Sequence, residues 1–449
     1  MRKLLIACCV LGQLCCGQIS WSLDRQPNAD YRARRQALGA KLEGGIALLF
    51  APNEAEGPND YYGYRPEDNF YYLTGWAEPG AAVLVAAEAE AKADSPARPY
   101  TEILFLPSRN PSQEKWTGPK LGPENPDAPK ITGFDRVEPL DNLRDELVAL
   151  LAKGRAAVYT DLPAYEEPSN SEISLDWLRR SNAFPIGVGF DDVRPALRLL
   201  RTYKDAGEIE LLRKAADASV AAQLAAMKAV KPGVSEGEIS ALLQYEWGKR
   251  GCQRPAYAPI VGSGFNSTVL HYSEDSATMQ AGDVVVIDAA GEYSLYAADI
   301  TRTLPISGKF TPRQREIYDI VLGAQQAAIS AFQSGKSMLT GTGENSLYKV
   351  ARDYINSHGK DLHGQPLGQY FIHGLGHYLG LNVHDDGDYS VPLAPGAVFT
   401  LEPGVYIPEE KLGVRIEDDF YVDGDGKLVK MTAALPSSAE DVERIMAGH

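Results

Sequence analysis

The sequence predicts two joined folds, an α/β unit over residues 23–200 and an α+β unit over residues 201–449. Three observations predict this. In the first part, strand-like apolar runs alternate with helical patterns, as in α/β folds. In the second part, long helical patterns and strand-like runs fall in separate blocks, as in α+β folds. The chain has 449 residues and is 44% hydrophobic, enough to bury the cores of two or three domains.

The elements follow in chain order. A helical stretch from Tyr31 to Leu42 leads into the strand-like run Gly45 to Phe50. Further strands are expected at Ala81 to Ala86 and Glu102 to Leu106. Residues 107–129 carry six prolines and read as a long surface loop. An amphipathic helix at Leu143 to Ala152 and a strand at Ala156 to Tyr159 complete the first unit. A boundary falls near 195–207. Lys204 to Gly207 then open a long helix to about Val230, which Pro232-Gly233 stops. Ser235 and Glu238 form a capping box for a helix reaching Lys249. Thr311-Pro312 starts a third helix to about Phe332, and Asn345 to Ser357 a fourth. Strands are expected at 283–290, 297–306, 397–407 and 413–422. No convincing short repeat is visible.

The N-terminus reads as an address. Arg2 and Lys3 precede the apolar run Leu4 to Cys16, and small residues follow, so residues 1–22 read as a secretory signal peptide. The run is too short to span a membrane, and no other stretch supplies the roughly 20 apolar residues a span needs. The pair Ala7-Cys8 leaves a lipoprotein leader open. Four of the five cysteines lie in the leader, so the mature chain keeps only Cys252 and forms no intrachain disulfide. Export to a bacterial periplasm, or secretion, is therefore expected. A net charge of -16 disfavours nucleic acid as a partner.

Chemistry concentrates in the second unit, because the seven histidines begin at His271. Turn chemistry at Gly291 to Ser294 suggests a hairpin centred on Tyr293/Ser294, which would set Asp288 directly opposite Asp299. A second hairpin, centred on Glu409/Glu410, would set Glu402 opposite Glu417. Like charges facing across a sheet destabilise it unless something neutralises them. One such pair would look the same as solvated acids at a sheet rim. Two such pairs point to bound cations. His373, His377 and His384 lie within twelve residues. Gly374 and Gly376 argue against a helix there, each costing about 1 kcal/mol in a helix interior, so an extended backbone is expected. His358, His363 and His449 sit in polar or terminal contexts and read as surface residues. Four carboxylates with one imidazole suit paired Mn²⁺ or Co²⁺, with Zn²⁺ and Fe²⁺ acceptable, and exclude a thiolate site. Two such ions activate a shared water and polarise a carbonyl, so the implied chemistry is hydrolysis.

These segments resemble the pita-bread metallopeptidases, and among them aminopeptidase P. The carriers are Asp288-Ala289-Ala290-Gly291 with Asp299 to Thr303, the run His373 to His384, Leu401 to Gly404, and Val414 to Asp419. Tyr64 to Trp76, Glu78-Pro79 and Glu114 to Gly118 resemble the same family's N-terminal, creatinase-like domain. Asn382 stands where the family usually has Asp, and Lys120 where Arg is common. The resemblance implies a pita-bread catalytic domain that cleaves peptides with proline in second position. It implies that Asp288, Asp299, His377, Glu402 and Glu417 bind two divalent metal ions, with Asp299 and Glu417 bridging. It implies that Glu402 takes a proton from the attacking water, and that His271 and His384 bind the substrate carbonyl. His373 would line the proline subsite and Arg415 would act behind the ligands. A homo-oligomer, dimer or tetramer, is also implied. A dipeptidase sharing the ligands and a metal-free binding module are the alternatives.

Overall fold

A computed structural model describes residues 23–54, 61–91, 96–152, 156–162, 176–178, 180 and 188–448. The expected leader, 1–22, and His449 lie outside these residues. The first unit is built on a six-stranded mixed sheet: β1 (Ile46–Phe50), β2 (Ala82–Ala86), β3 (Thr101–Leu106), β4 (Arg136–Pro139), β5 (Val158–Thr160) and β6 (Phe190–Asp192), in the order β4-β3-β2-β1-β5-β6. β1, β2 and β3 are almost wholly buried, which explains their continuous apolar character. β4 and β6 carry charged residues and lie at the edges, so no apolar pattern announced them. The proline-rich loop contains two short helical turns, Glu114–Thr117 and Ala128–Thr132. Helices Asp68–Thr74 and Arg194–Arg201 also went unanticipated; the second packs only a narrow apolar stripe amid arginines.

The second unit places helices outside and strands inside. Helices Ala206–Ala229 and Glu236–Gly248 begin with capping boxes, from Asp205 with Glu208 and Ser235 with Glu238. After β7 (Arg254–Pro255) and β8 (Ile260–Ser263), these helices pack on β9 (Val284–Asp288) and β12 (Thr301–Pro305), between which run β10 (Gly291–Tyr293) and β11 (Tyr296–Ala297), through a core that includes Ala222, Leu243, Ile287 and Leu304. Helices Pro312–Ala331 and Leu347–His358 pack on β13 (Val398–Leu401), β14 (Gly404–Ile407), β15 (Leu412–Arg415) and β16 (Asp418–Val422) through Val321, Ala351, Phe399 and Val414. A bridge between Thr301 and Glu417 joins the two groups of strands. A single apolar cluster runs from Leu49 and Phe70 in the first unit to Leu211, Leu379 and Val398 in the second, so the two units share a core.

The first hairpin differs from expectation. Asp288 pairs with Thr301, two residues beyond Asp299. The turn is formed by Ser294 and Leu295, both left-handed at φ 49° and 73°, one residue later than expected. Consecutive left-handed residues make the two-residue turn whose twist matches a hairpin, and a leucine gives no sequence signal for it. Side chains alternate with period two, so a two-residue shift leaves Asp288 and Asp299 on the same face. The second hairpin has the expected register: Leu401 pairs with Asp418 and Gly404 with Arg415, which brackets Glu402 and Glu417.

Candidate metal centre

Each hairpin breaks where its acids lie. β9 ends at Asp288 and β12 begins at Thr301, while Glu402 and Glu417 fall in the gaps between β13 and β14 and between β15 and β16. A glutamine from the covering helix serves each break. Gln223 Nε2 donates to the carbonyls of Ala289 and Ile300, both at 3.1 Å. Gln325 Nε2 donates to the Leu401 carbonyl at 2.9 Å and to Asp418 Oδ2 at 3.0 Å. The Ile300 carbonyl also accepts the Ala289 N–H at 3.1 Å, so each glutamine adds a donor to the backbone beside the acids and keeps those buried carbonyls satisfied. Neither glutamine was legible as functional, since each sits in an otherwise ordinary helical pattern.

One cavity of about 620 Å³ is lined by all nine expected residues: Asp288, Asp299, His377, Glu402, Glu417, His271, His373, His384 and Arg415. The stretch holding His373 and His377 is irregular and non-helical, as the glycines required. Gly376 is needed for space, since a Cβ there would lie 2.0 Å from the Thr400 carbonyl oxygen. His358 and His363 are exposed, as expected.

His377 Nε2 lies 3.3 Å from Asp299 Oδ2 and 3.4 Å from Glu402 Oε1. Ligand atoms of Asp299, His377 and Glu417 lie within 4.8 Å of one another. Thr301 Oγ1 donates to Glu417 Oε2 at 2.6 Å, and Arg415 Nη2 to Asp288 Oδ2 at 2.6 Å. Tyr257 was not foreseen from sequence, yet its hydroxyl lies 2.6 Å from both Asp288 Oδ1 and Asp299 Oδ1. Asp419 receives the Asp299 N–H at 3.2 Å. Tyr406 links Arg415 Nη1, at 2.7 Å, to His373 Nε2, at 2.9 Å. Tyr257 reaches the site from a segment of its own, while Tyr406 and Asp419 lie within four residues of Glu402 and Glu417.

The charges do not balance within the protein. Burial, then Asp299 and Glu402, push the Glu417 carboxyl well above the usual range. Burial pushes Glu402 up to about 7 despite His377 nearby. Burial opposes protonation of His377, but Asp299 and Glu402 outweigh it and raise the imidazole to about 9. Four carboxylates and one imidazole converging on a cavity form an oxygen-rich donor set that fits hard divalent ions. Protons on Glu402, Glu417 and His377 hold the positive charge that such ions would supply.

This has a measurable consequence. Glu402 rises from an ordinary 4.5 to about 7, and His377 from 6.5 to about 9. In each window the folded chain holds a proton that the unfolded chain has shed, so metal-free stability falls as pH rises from about 4.5 to 9. Thermal melts with and without divalent metal should therefore diverge with rising pH, the metal-bound melt lying higher. A pH-independent gap would contradict this electrostatic account.

Comparison with known proteins agrees with the geometry. The family model for metallopeptidase family M24 matches residues 210–424, and that for the aminopeptidase P N-terminal domain matches residues 31–159. The Xaa-Pro aminopeptidase of Escherichia coli is 35% identical over 443 residues, covering 93% of this chain and 97% of that protein. Xaa-Pro aminopeptidase 3 of Mus musculus is 32% identical, covering 86% of this chain and 77% of that protein. Among solved structures, proline aminopeptidase P II from Yersinia pestis superposes with a TM-score of 0.79 at 35% identity, covering 94% of this chain and 100% of that one. Aminopeptidase P from E. coli with the inhibitor Pro-Leu gives 0.80 at 33% identity, covering 95% of this chain and 99% of that one. The chain belongs to metallopeptidase family M24, in its aminopeptidase P branch.

Proposed function

We propose that this M24 metallopeptidase is an Xaa-Pro aminopeptidase, removing the first residue from peptides whose second residue is proline. The observation that carries the reading is the single cavity that gathers all five expected metal ligands with the three histidines expected to face substrate. The bond is a tertiary amide lacking the N–H that many peptidases grip, which is why a dedicated site is needed.

Asp288, Asp299, His377, Glu402 and Glu417 would hold two divalent ions, and Mn²⁺ is the working ion we propose for this carboxylate-rich set. Bound there, the ions supply Lewis acidity for water activation and carbonyl polarisation. Glu402 would take the proton of the attacking water, a carboxylate being the kind of group that does this work. Burial lowers His384, so it stays neutral and can donate an N–H to the developing oxyanion together with His271. His373 is pushed down to about 4, chiefly by burial. Its two ring nitrogens meet the Gly374 carbonyl at 2.8 Å and the Tyr406 hydroxyl at 2.9 Å, which leaves ring faces for an apolar proline. Arg415 holds Asp288 from behind.

Incubation with Xaa-Pro-Xaa-Xaa and Mn²⁺ should release one free amino acid with no internal cut, and chelation should stop it. Cleavage confined to Xaa-Pro dipeptides would instead make the enzyme a dipeptidase. Export to the periplasm or beyond is also proposed, on the leader sequence, and a dimer or tetramer on the family resemblance. The mass of the mature N-terminus and sedimentation velocity test these two points.

A further inference from the structure

The segment Leu381 to Asp386 carries His384 over the ligand cluster, its ring 4.4 Å from that of His377. That segment is held from its far side by residues remote in sequence. Asp385 is buried between Arg201 Nη2, at 2.5 Å, and Lys204 Nζ, at 2.8 Å. Arg65 Nη2 donates to the Leu381 carbonyl at 2.5 Å, and Arg65 Nη1 donates to Asp68 Oδ1 at 2.6 Å. Asp68 Oδ2 in turn accepts from Asn382 Nδ2 at 3.3 Å, and Asn382 Oδ1 accepts the His384 N–H at 3.1 Å.

Asn382 therefore connects the first unit to the backbone of His384. Its two ends need opposite polarity: a donor toward the Asp68 carboxylate and an acceptor toward an N–H. The carboxamide of Asn382 supplies both. An aspartate there would keep the bond to His384 but set a carboxylate against a carboxylate at Asp68.

We propose that Asp68 and Asn382 form a polarity-matched latch through which the N-terminal domain positions His384, with Arg65 orienting Asp68. Both are positioning residues, and the inference rests on the reading that His384 meets the substrate. Asn382 is exposed, and Asp68 is partly buried beside Arg65 and Arg201 Nη2, the latter at 3.8 Å, so a thermal melt of each variant separates a loss of fold from a loss of the latch.

The test is a polarity swap. Asn382→Asp should lower kcat/KM for an Xaa-Pro peptide about three- to tenfold, the effect of one lost hydrogen bond, with metal content unchanged. Hydrogen exchange at amides 381–386 should quicken in parallel. The double variant Asp68→Asn with Asn382→Asp restores a donor facing an acceptor. It should return kcat/KM to within about twofold, as expected for a reciprocal pair, and slow the exchange again. An Asn382→Asp enzyme indistinguishable from the parent in both readouts overturns the latch, as does a double variant that fails to recover. If the parent itself ignores Xaa-Pro peptides, the functional reading falls, and the exchange pattern alone then decides the latch.

Discussion

Replacing Glu402 by Gln will cut kcat by about 10²- to 10⁴-fold, the range expected when a positioned acid–base group is lost. The change is nearly isosteric. The amide can still accept from Thr400 Oγ1, which lies 3.4 Å from Glu402 Oε1, and the backbone N–H of residue 402 keeps its bond to the Leu375 carbonyl. What disappears is the ability to take a proton and one negative ligand. In the metal-free form the substitution removes a carboxyl that burial holds at about 7. The variant should thus melt higher than the parent above pH 7 without metal, while its kcat falls. A variant keeping more than about a tenth of parental kcat would remove Glu402 from the acid–base role, since such groups contribute far more than tenfold.

The largest effect on stability is expected at Arg302. It is fully buried, and all five of its N–H donors are used. Nε donates to the Pro436 carbonyl at 2.9 Å. Nη1 reaches the carbonyls of Thr301, at 2.8 Å, and Glu417, at 2.7 Å. Nη2 reaches Asp418 Oδ1 at 2.7 Å and the Leu435 carbonyl at 3.1 Å. Arg302 thus ties β12 to β16 beside Glu417 and to the C-terminal segment. Substitution by Met leaves buried carbonyls unpaired and removes one countercharge of Asp418, with Lys430 Nζ at 2.8 Å the other. Breaking such a pair should cost about 3–5 kcal/mol, a large share of the ~5–15 kcal/mol that holds a typical domain. Urea unfolding of the metal-free proteins measures it, and a loss under about 1 kcal/mol would show that the network is dispensable.

The four acids and the cluster His373 to His384 were legible because their chemistry is local, whereas His271 and Arg415 entered only through the family resemblance. Facing acid pairs on strand-like runs are anomalous wherever the register falls, and the two-residue error in the first hairpin did not move Asp288 or Asp299 off their face. The helices of the second unit were legible from caps: Asp205, Ser235 and Thr311 each accept from a backbone N–H three residues on. Strands β4 and β6 were missed because edge strands with charged residues lack the apolar period that marks buried ones. The turn at Ser294/Leu295 was misplaced because a left-handed leucine is held by its surroundings and not by its own preference.

The sequence by itself determined the helices of the catalytic unit, the central strands of both units, and the identity of the carboxylates and imidazoles that meet at the cavity. Periodicity, capping and charge are properties of neighbours in the chain, so they can be read along it. The tertiary structure alone decided which groups brace the cavity and its surroundings. Tyr257 reaches Asp288 and Asp299 from 31 and 42 residues away, Gln325 reaches Asp418 from 93, and Asp68 reaches Asn382 from 314. A hydrogen bond depends on a separation of about 3 Å in space and is indifferent to separation along the chain. Such partners become visible only once the fold has brought them together.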